Sequence, residues 1–183
     1  MAQSDNAATR FVDSHLAAGR ADKPVFIEVD GDQRQLTYGA LAAGAGVAAA
    51  AMMAAGLRRE ERAAMLLLDT VDYPLLFWGA LKAGVVAVPL NTLLSTSIYD
   101  AILRDSRASA LFVSAALYPV VAPVLGDNPW LRTVVVVGGA APDGTTGFDD
   151  FIAGHAPVDC CDVSPDDVAF WLYSSGSTGQ PKG

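Results

Sequence analysis

Histidine and cysteine are scarce in this 183-residue sequence, with two of each. The cysteines, Cys160 and Cys161, are adjacent, which excludes a framework of loop-closing disulfides, and no Cys/His spacing resembles a metal site. A pair of free thiols in a reducing cytoplasm is the expectation. His15 and His155 stand alone in polar surroundings and are expected at the surface. Basic residues are the minority: 12 Lys and Arg against 20 Asp and Glu, for a formal net charge of −8. That balance argues against a nucleic-acid partner, which needs a basic patch. It leaves a small anionic substrate open, because a few local donors suffice to bind one.

Charged residues make up only 17% and apolar residues 52%, which excludes bulk disorder and collagen-like repeats. Met1–Arg10 carries no apolar signal core, so export is not expected. Two uncharged stretches are long enough to test as membrane spans. Gln35–Leu57 is built mainly of Ala and Gly, which gain little from lipid. Ala108–Gly126 is interrupted by Pro119 and Pro123. Neither reads as a span, and a cytoplasmic protein is expected.

Along the chain, apolar runs of strand length alternate with helical patterns. Val25–Val29, the turn Asp30-Gly31-Asp32 and Gln33–Thr37 read as a hairpin. Thr37 then offers an N-cap for a helix to about Ala55, stopped by Gly56. Ala40 stands where a full capping box needs Glu or Gln, so the cap is half built. Strands are expected at Ala63–Leu68, Val85–Leu90, Ala110–Val113, Thr133–Val137 and Val168–Tyr173. Helices are expected at Tyr73–Ala83, Ser95–Ser106 and, interrupted by proline, Ala115–Leu125. Gly138–Thr146 reads as a loose excursion. The alternation predicts an α/β fold, mainly a parallel sheet flanked by helices, with no interdomain linker. Asp69, Asp72 and Asn91 fall at strand ends, where they cap helices or close turns. Phe77, Trp78, Phe170 and Trp171 lie in periodic apolar segments and are expected in the core.

The chemistry concentrates at the end of the chain, in Trp171-Leu172-Tyr173-Ser174-Ser175-Gly176-Ser177-Thr178-Gly179-Gln180-Pro181-Lys182-Gly183. An apolar strand runs into hydroxyls and glycines and then a lysine. Gly176 and Gly179 let backbone N–H groups approach an anion. Ser174, Ser175, Ser177 and Thr178 add hydroxyl donors, and Lys182 neutralises phosphate charge. These groups suit a polyphosphate whose charge grows as pyrophosphate departs. The loop is not a Walker A motif. Counted from Gly176, Pro181 falls on the required second glycine and Gly183 on the magnesium-binding hydroxyl.

Tyr173–Gly183 resembles the phosphate-loop signature of the adenylate-forming superfamily of acyl- and aryl-CoA ligases, luciferases and peptide-synthetase adenylation domains. The resemblance extends upstream. Leu36-Thr37-Tyr38 is similar to an early helix start of the family, although Ala40 departs from its usual acidic residue. Asp69-Thr70-Val71-Asp72-Tyr73-Pro74, Gly79-Ala80-Leu81-Lys82-Ala83-Gly84, Val88-Pro89-Leu90-Asn91-Thr92-Leu93-Leu94 and Phe170-Trp171-Leu172-Tyr173 are similar to benzoate- and hydroxybenzoate-CoA ligases in particular.

The resemblance implies activation of a small-molecule carboxylic acid, benzoate or a hydroxybenzoate, by ATP and Mg2+, with coenzyme A as co-substrate. Other acyl-CoA ligases, amino-acid-adenylating domains and a noncatalytic nucleotide-binding or interaction module remain open. It also implies that residues 1–183 are the N-terminal portion of the AMP-binding domain, ending within the phosphate loop. The acyl pocket, magnesium ligand, catalytic lysine and C-terminal domain would lie further on. Catalytic and metal-ligating residues are therefore not expected in this stretch, which alone should be inactive. The cofactor-binding set is Ser174, Ser175, Gly176, Ser177, Thr178, Gly179 and Lys182. A piece of a larger domain also exposes surface meant for burial, which leaves a homodimer open and makes marginal stability the expectation.

Overall fold

The computed structural model describes residues 5–29, 33–175 and 181–183. They fall into two compact units, each assembled from three stretches of chain. Met1–Glu60, Asp69–Val85 and Gly154–Ala169 make the first; Glu61–Leu68, Val86–Ala153 and Phe170–Gly183 make the second.

The first unit begins with a π-helical turn, Thr9–Asp13, that continues into helix α1 (Ser14–Ala17). Strands β1 (Pro24–Ile27) and β2 (Gln35–Thr37) pair antiparallel, as the hairpin pattern predicts. Its Asp30-Gly31-Asp32 turn lies outside the described residues. Thr37 is extended and its Oγ1 accepts the Ala40 N–H at 3.2 Å, so the half-built cap does start helix α2 (Tyr38–Ala54). Gly56 follows in the left-handed region at φ +83°, a conformation that costs glycine little. Helix α3 (Asp72–Lys82) packs on α2 through small residues. A Cβ added at Gly79 would lie 2.7 Å from Ala48 Cβ and 3.0 Å from the Ala45 carbonyl oxygen. The run of Ala and Gly in α2 thus serves close helix approach. Val12, Leu36, Leu41 and Val71 are buried together beside this pair.

The second unit is a parallel sheet. Its strands are β3 (Arg62–Leu66), β4 (Val86–Pro89), β5 (Ala110–Ser114), β6 (Thr133–Val137) and β7 (Thr146–Gly147), in the spatial order β4-β3-β5-β6-β7. The order reverses direction between β3 and β5, and the Leu68 N–H donates to Ser114 Oγ (2.9 Å) just past their carboxyl ends. Helix α4 (Thr96–Ser106) places Tyr99, Ile102 and Leu103 against Leu111, Val113 and Val136. Phe112, pointing to the other side of β5 by the two-residue period, meets Phe151 of helix α6 (Phe148–Ile152) edge-on at 5.5 Å. Helices therefore lie on both faces, and the continuous apolar run of β3 is fully covered.

Several expectations need correction. Ala115–Leu125 is not one helix but a short α5 (Tyr118–Val121) followed by a 3-10 turn (Ala122–Val124). Pro119 is tolerated in a first turn, whereas Pro123 supplies no N–H to continue the ladder. Val168–Tyr173 is not a strand. Within it the Trp171 N–H donates to the Ala87 carbonyl at 2.9 Å, a single parallel bridge, and Phe170 and Leu172 stay exposed. Thr146 is no part of a loose excursion, because β7 adds to the edge of β6. Asn91 closes its turn as expected, its Oδ1 accepting the Leu93 N–H at 2.9 Å. Asp72 instead pairs with Arg34.

Candidate functional site

The two ends of the hydroxyl- and glycine-rich motif form a small antiparallel pair, β8 (Ser174–Ser175) and β9 (Pro181–Lys182). Ser174 is the direct partner of Lys182 across it. Directly opposed residues of an antiparallel pair project to one face. The Ser174 hydroxyl and the Lys182 ammonium therefore share a side, both solvent-exposed. A hydroxyl donor beside a cation is the smallest unit that can hold a phosphate oxygen with a charge-assisted bond. The structure brings these two candidates together, with the Ser175 backbone beside them. Gly176, Ser177, Thr178 and Gly179 lie outside the described residues.

What fixes this hairpin was not visible in the sequence. The Tyr173 hydroxyl donates to Asp105 Oδ2 at 2.6 Å, in the last turn of α4. Gly183, at the other end of the motif, rests on the same ring: a Cβ there would lie 2.8 Å from Tyr173 Cζ. One phenol thus touches both flanks of the motif. Trp171 sits beneath the Arg62 guanidinium, 5.7 Å from ring centroid to Cζ, and Arg62 Nε donates to the Ser106 carbonyl at 2.6 Å. Arg62 opens β3 and Ser106 ends α4, so the hairpin is tied to the amino-terminal end of the sheet. Open α/β sheets more often place ligands at the carboxyl ends, at the point where strand order reverses.

Burial, and then the Asp105 carboxylate, raise the pKa of the Tyr173 phenol well above its ordinary value. The folded state therefore holds this proton more tightly than the unfolded chain. The resulting stability is complete below the usual phenol range and is lost as pH climbs through and beyond it. Asp105→Asn is expected to lower the pH at which Tyr173 ionises. The measurement is the difference between its ultraviolet phenolate titration and that of the same variant carrying Tyr173→Phe. An unmoved transition would show that Asp105 does not hold this phenol.

The first unit contains a cavity of about 530 Å³, lined among others by Phe26, Glu28, Asp69, Tyr73, Phe77 and Trp78. Phe77 and Trp78 are thus half-buried walls of a groove, with Trp78 also packed against the cluster of Val12, Leu36 and Leu41. Phe170 is exposed, whereas the half-buried Trp171 packs against the cluster of Leu103, Leu111 and Val113. The groove has the size of a small-molecule site. Its charge is wrong for an aryl carboxylate, since the described residues of its lining include two acids and no cation. Arg34, next to it, is committed: it binds Glu28 and Asp72, each at 2.8 Å. The Arg34 guanidinium, together with the Val71 N–H, holds the Glu28 carboxyl below its usual range. The paired aromatics beside Asp69–Pro74 were the sequence signal for this groove, masked there by their helical spacing.

Among the described residues no helix is long and apolar enough to cross a membrane, and no cluster of three or more His, Cys, Asp or Glu could hold a metal ion.

Comparison with known proteins gives one consistent result. The family model described as AMP-binding enzyme matches residues 14–183. A 4-hydroxybenzoate–CoA/benzoate–CoA ligase of Rhodopseudomonas palustris is 43% identical over 182 residues, covering 97% of this chain and 32% of its own length. A benzoate–CoA ligase of Thauera aromatica is 41% identical over 179 residues, covering 97% and 33%. Among solved structures, the anthranilate CoA ligase AuaEII in complex with anthranoyl-AMP superposes with a TM-score of 0.89 at 30% identity, over 99% of this chain and 34% of that one. A benzoate CoA ligase from Burkholderia xenovorans LB400 gives 0.78 at 36% identity, over 92% and 32%. The chain spans about a third of the length of these relatives.

Proposed function

Because this chain belongs to the AMP-binding enzyme family, we propose that it is the leading part of an ATP-dependent aryl-CoA ligase acting on benzoate or a hydroxybenzoate. The observation that carries this reading is the match of the whole phosphate-loop sequence, together with Ser174 and Lys182 standing side by side on a paired backbone. The aromatic acid is supported by the relatives, two of which are benzoate- or hydroxybenzoate-CoA ligases more than 40% identical to it.

In the proposed reaction the acid's carboxylate oxygen attacks the α-phosphorus of ATP and pyrophosphate leaves, giving an acyl-adenylate. The thiol of coenzyme A then attacks the acyl carbonyl and AMP leaves. This chain's contribution is to hold the β- and γ-phosphates. Lys182 offsets their charge as pyrophosphate departs, and Ser174, Ser175, Ser177 and Thr178 offer donors. Gly176 and Gly179 let the backbone approach the phosphate oxygens. Mg2+ bound with the nucleotide would supply further charge neutralisation. The described residues of the hairpin offer it no side-chain carboxylate. Residues beyond those of this chain supply the acyl pocket and complete the reaction, in the cytoplasm, and the chain alone is inactive.

The test is exchange of labelled pyrophosphate into ATP by the polypeptide of the uninterrupted reading frame, with benzoate, hydroxybenzoates, short fatty acids and amino acids offered in parallel. Exchange that depends on an aromatic acid is the expected result. Exchange with another acid alone keeps adenylate formation and discards the aryl substrate. Exchange with none, by folded protein, overturns the proposal.

A further inference from the structure

The first unit holds a reactive cluster that the proposed chemistry does not use. Lys82, at the end of α3, has a side chain only 4% exposed, and its ammonium donates to both carboxylate oxygens of Asp13 at 2.9 and 2.8 Å. The same Nζ lies 3.5 Å from Sγ of Cys160. The Cys160 thiol in turn donates to Asp13 Oδ2 at 3.3 Å. Three stretches distant in sequence thus bring an amine, a thiol and a carboxylate into mutual contact. Cys161 is turned elsewhere: its sulfur lies 3.9 Å from the Asn6 amide nitrogen and would meet a Cβ at Gly84.

We propose that Cys160 and Lys82 form an oxidative modification site, in which hydrogen peroxide joins the two side chains through one oxygen as Sγ–O–Nζ. The first peroxide oxidises the thiol to a sulfenic acid and is reduced to water. The ammonium of Lys82 passes a proton to Asp13, leaving a neutral amine. A second peroxide then takes two electrons from the nitrogen. The sulfenic O–H and one N–H are lost, the O–N bond forms, and two more waters leave. Sulfur and nitrogen each give up two electrons, and the two peroxides accept all four. The Lys82 nitrogen already lies 3.5 Å from the sulfur, so a small approach by the flexible lysine side chain suffices to close the bridge. Burial raises the pKa of the resting thiol, while the Lys82 charge favours the thiolate. The thiol therefore stays reduced until oxidant accumulates. The bridge would tie α3 to the irregular segment carrying Cys160, and a thiol would release it by attack on sulfur, breaking the S–O bond to leave Cys160 in a mixed disulfide and Lys82 as its N-hydroxylamine.

The experiment treats the 183-residue chain with hydrogen peroxide, then denatures, alkylates and digests it with trypsin for mass mapping. The expected product gains one oxygen and loses two hydrogens. It contains a linked peptide uncut after Lys82 and joined to the Cys160 peptide, and dithiothreitol releases it. The product should vanish in Lys82→Arg and in Cys160→Ser, and persist in Cys161→Ser. Loss of two hydrogens mapped to a Cys160–Cys161 disulfide would overturn the proposal. So would oxygen added at Cys160 with Lys82 still cleaved by trypsin.

Discussion

Lys182→Ala, made in the polypeptide of the uninterrupted reading frame, is expected to slow acid-dependent pyrophosphate exchange on the order of 10²-fold. Removing one preorganised donor from a developing oxyanion typically costs about 10²–10³-fold. The lower end applies because Lys182 is exposed here and water screens part of its charge. The loss should fall on turnover more than on apparent ATP affinity, since phosphate charge grows on the way to the transition state. Lys182→Arg should recover part of the rate. It keeps the charge but replaces a compact ammonium with a planar fork. The two variants together separate charge from shape, and circular dichroism establishes that both are folded. An unchanged exchange rate in folded Lys182→Ala would remove this residue from the site.

Asp13→Ala is expected to destabilise the first unit by about 3–5 kcal/mol, the usual cost of stranding one member of a buried ion pair. The argument is asymmetric. Lys82 is 4% exposed, so without Asp13 its ammonium keeps the Cys160 thiol as a neighbour but loses its countercharge in a dry site. Asp13 is 32% exposed and regains water when its partner is lost. Lys82→Met, similar in length and apolar, should therefore cost clearly less, about 1–2 kcal/mol, within the range for ordinary substitutions. Urea denaturation of the two variants against the parent measures both. Equal losses would show that water reaches Lys82 freely and that the pair is a surface one.

What could be read in advance divides along physical lines. Local signals worked. Thr37 capped its helix because its side chain needs only the amide three residues on, and the uncharged Ala63–Leu68 run gave a covered strand. Where an element depends on remote partners, the sequence misled. Val168–Tyr173 has strand composition, but it forms an isolated bridge to Ala87 and not a strand. The pair Phe148 and Phe151 flanks two aspartates, and a segment that short shows no helical period; only Phe112 across the contact makes sense of it. The site split the same way. Its hydroxyls and lysine were legible as a motif, because eight residues of chain bring Ser174 opposite Lys182. The Asp105 that holds Tyr173 lies 68 residues upstream and carries no sign of its role. Nor does the burial of Lys82 show, since its partner Asp13 is 69 residues away. The interleaving of two units left no linker to notice.

That interleaving has a consequence for how the molecule is made. All five strands of the parallel sheet lie before residue 148, whereas the first unit draws on residues 154–169. On the ribosome, the sheet's strands emerge complete while the other unit still lacks the last of its three stretches. Nascent chains fold as units become available. The unit holding the earliest of these residues is therefore completed only after the sheet of the other has emerged. It must close contacts such as Asp13 to Cys160 across 147 residues, and long-range closure of that kind is slow. During that interval the Ala- and Gly-rich face of α2 waits without its full cover, a natural client surface for a chaperone.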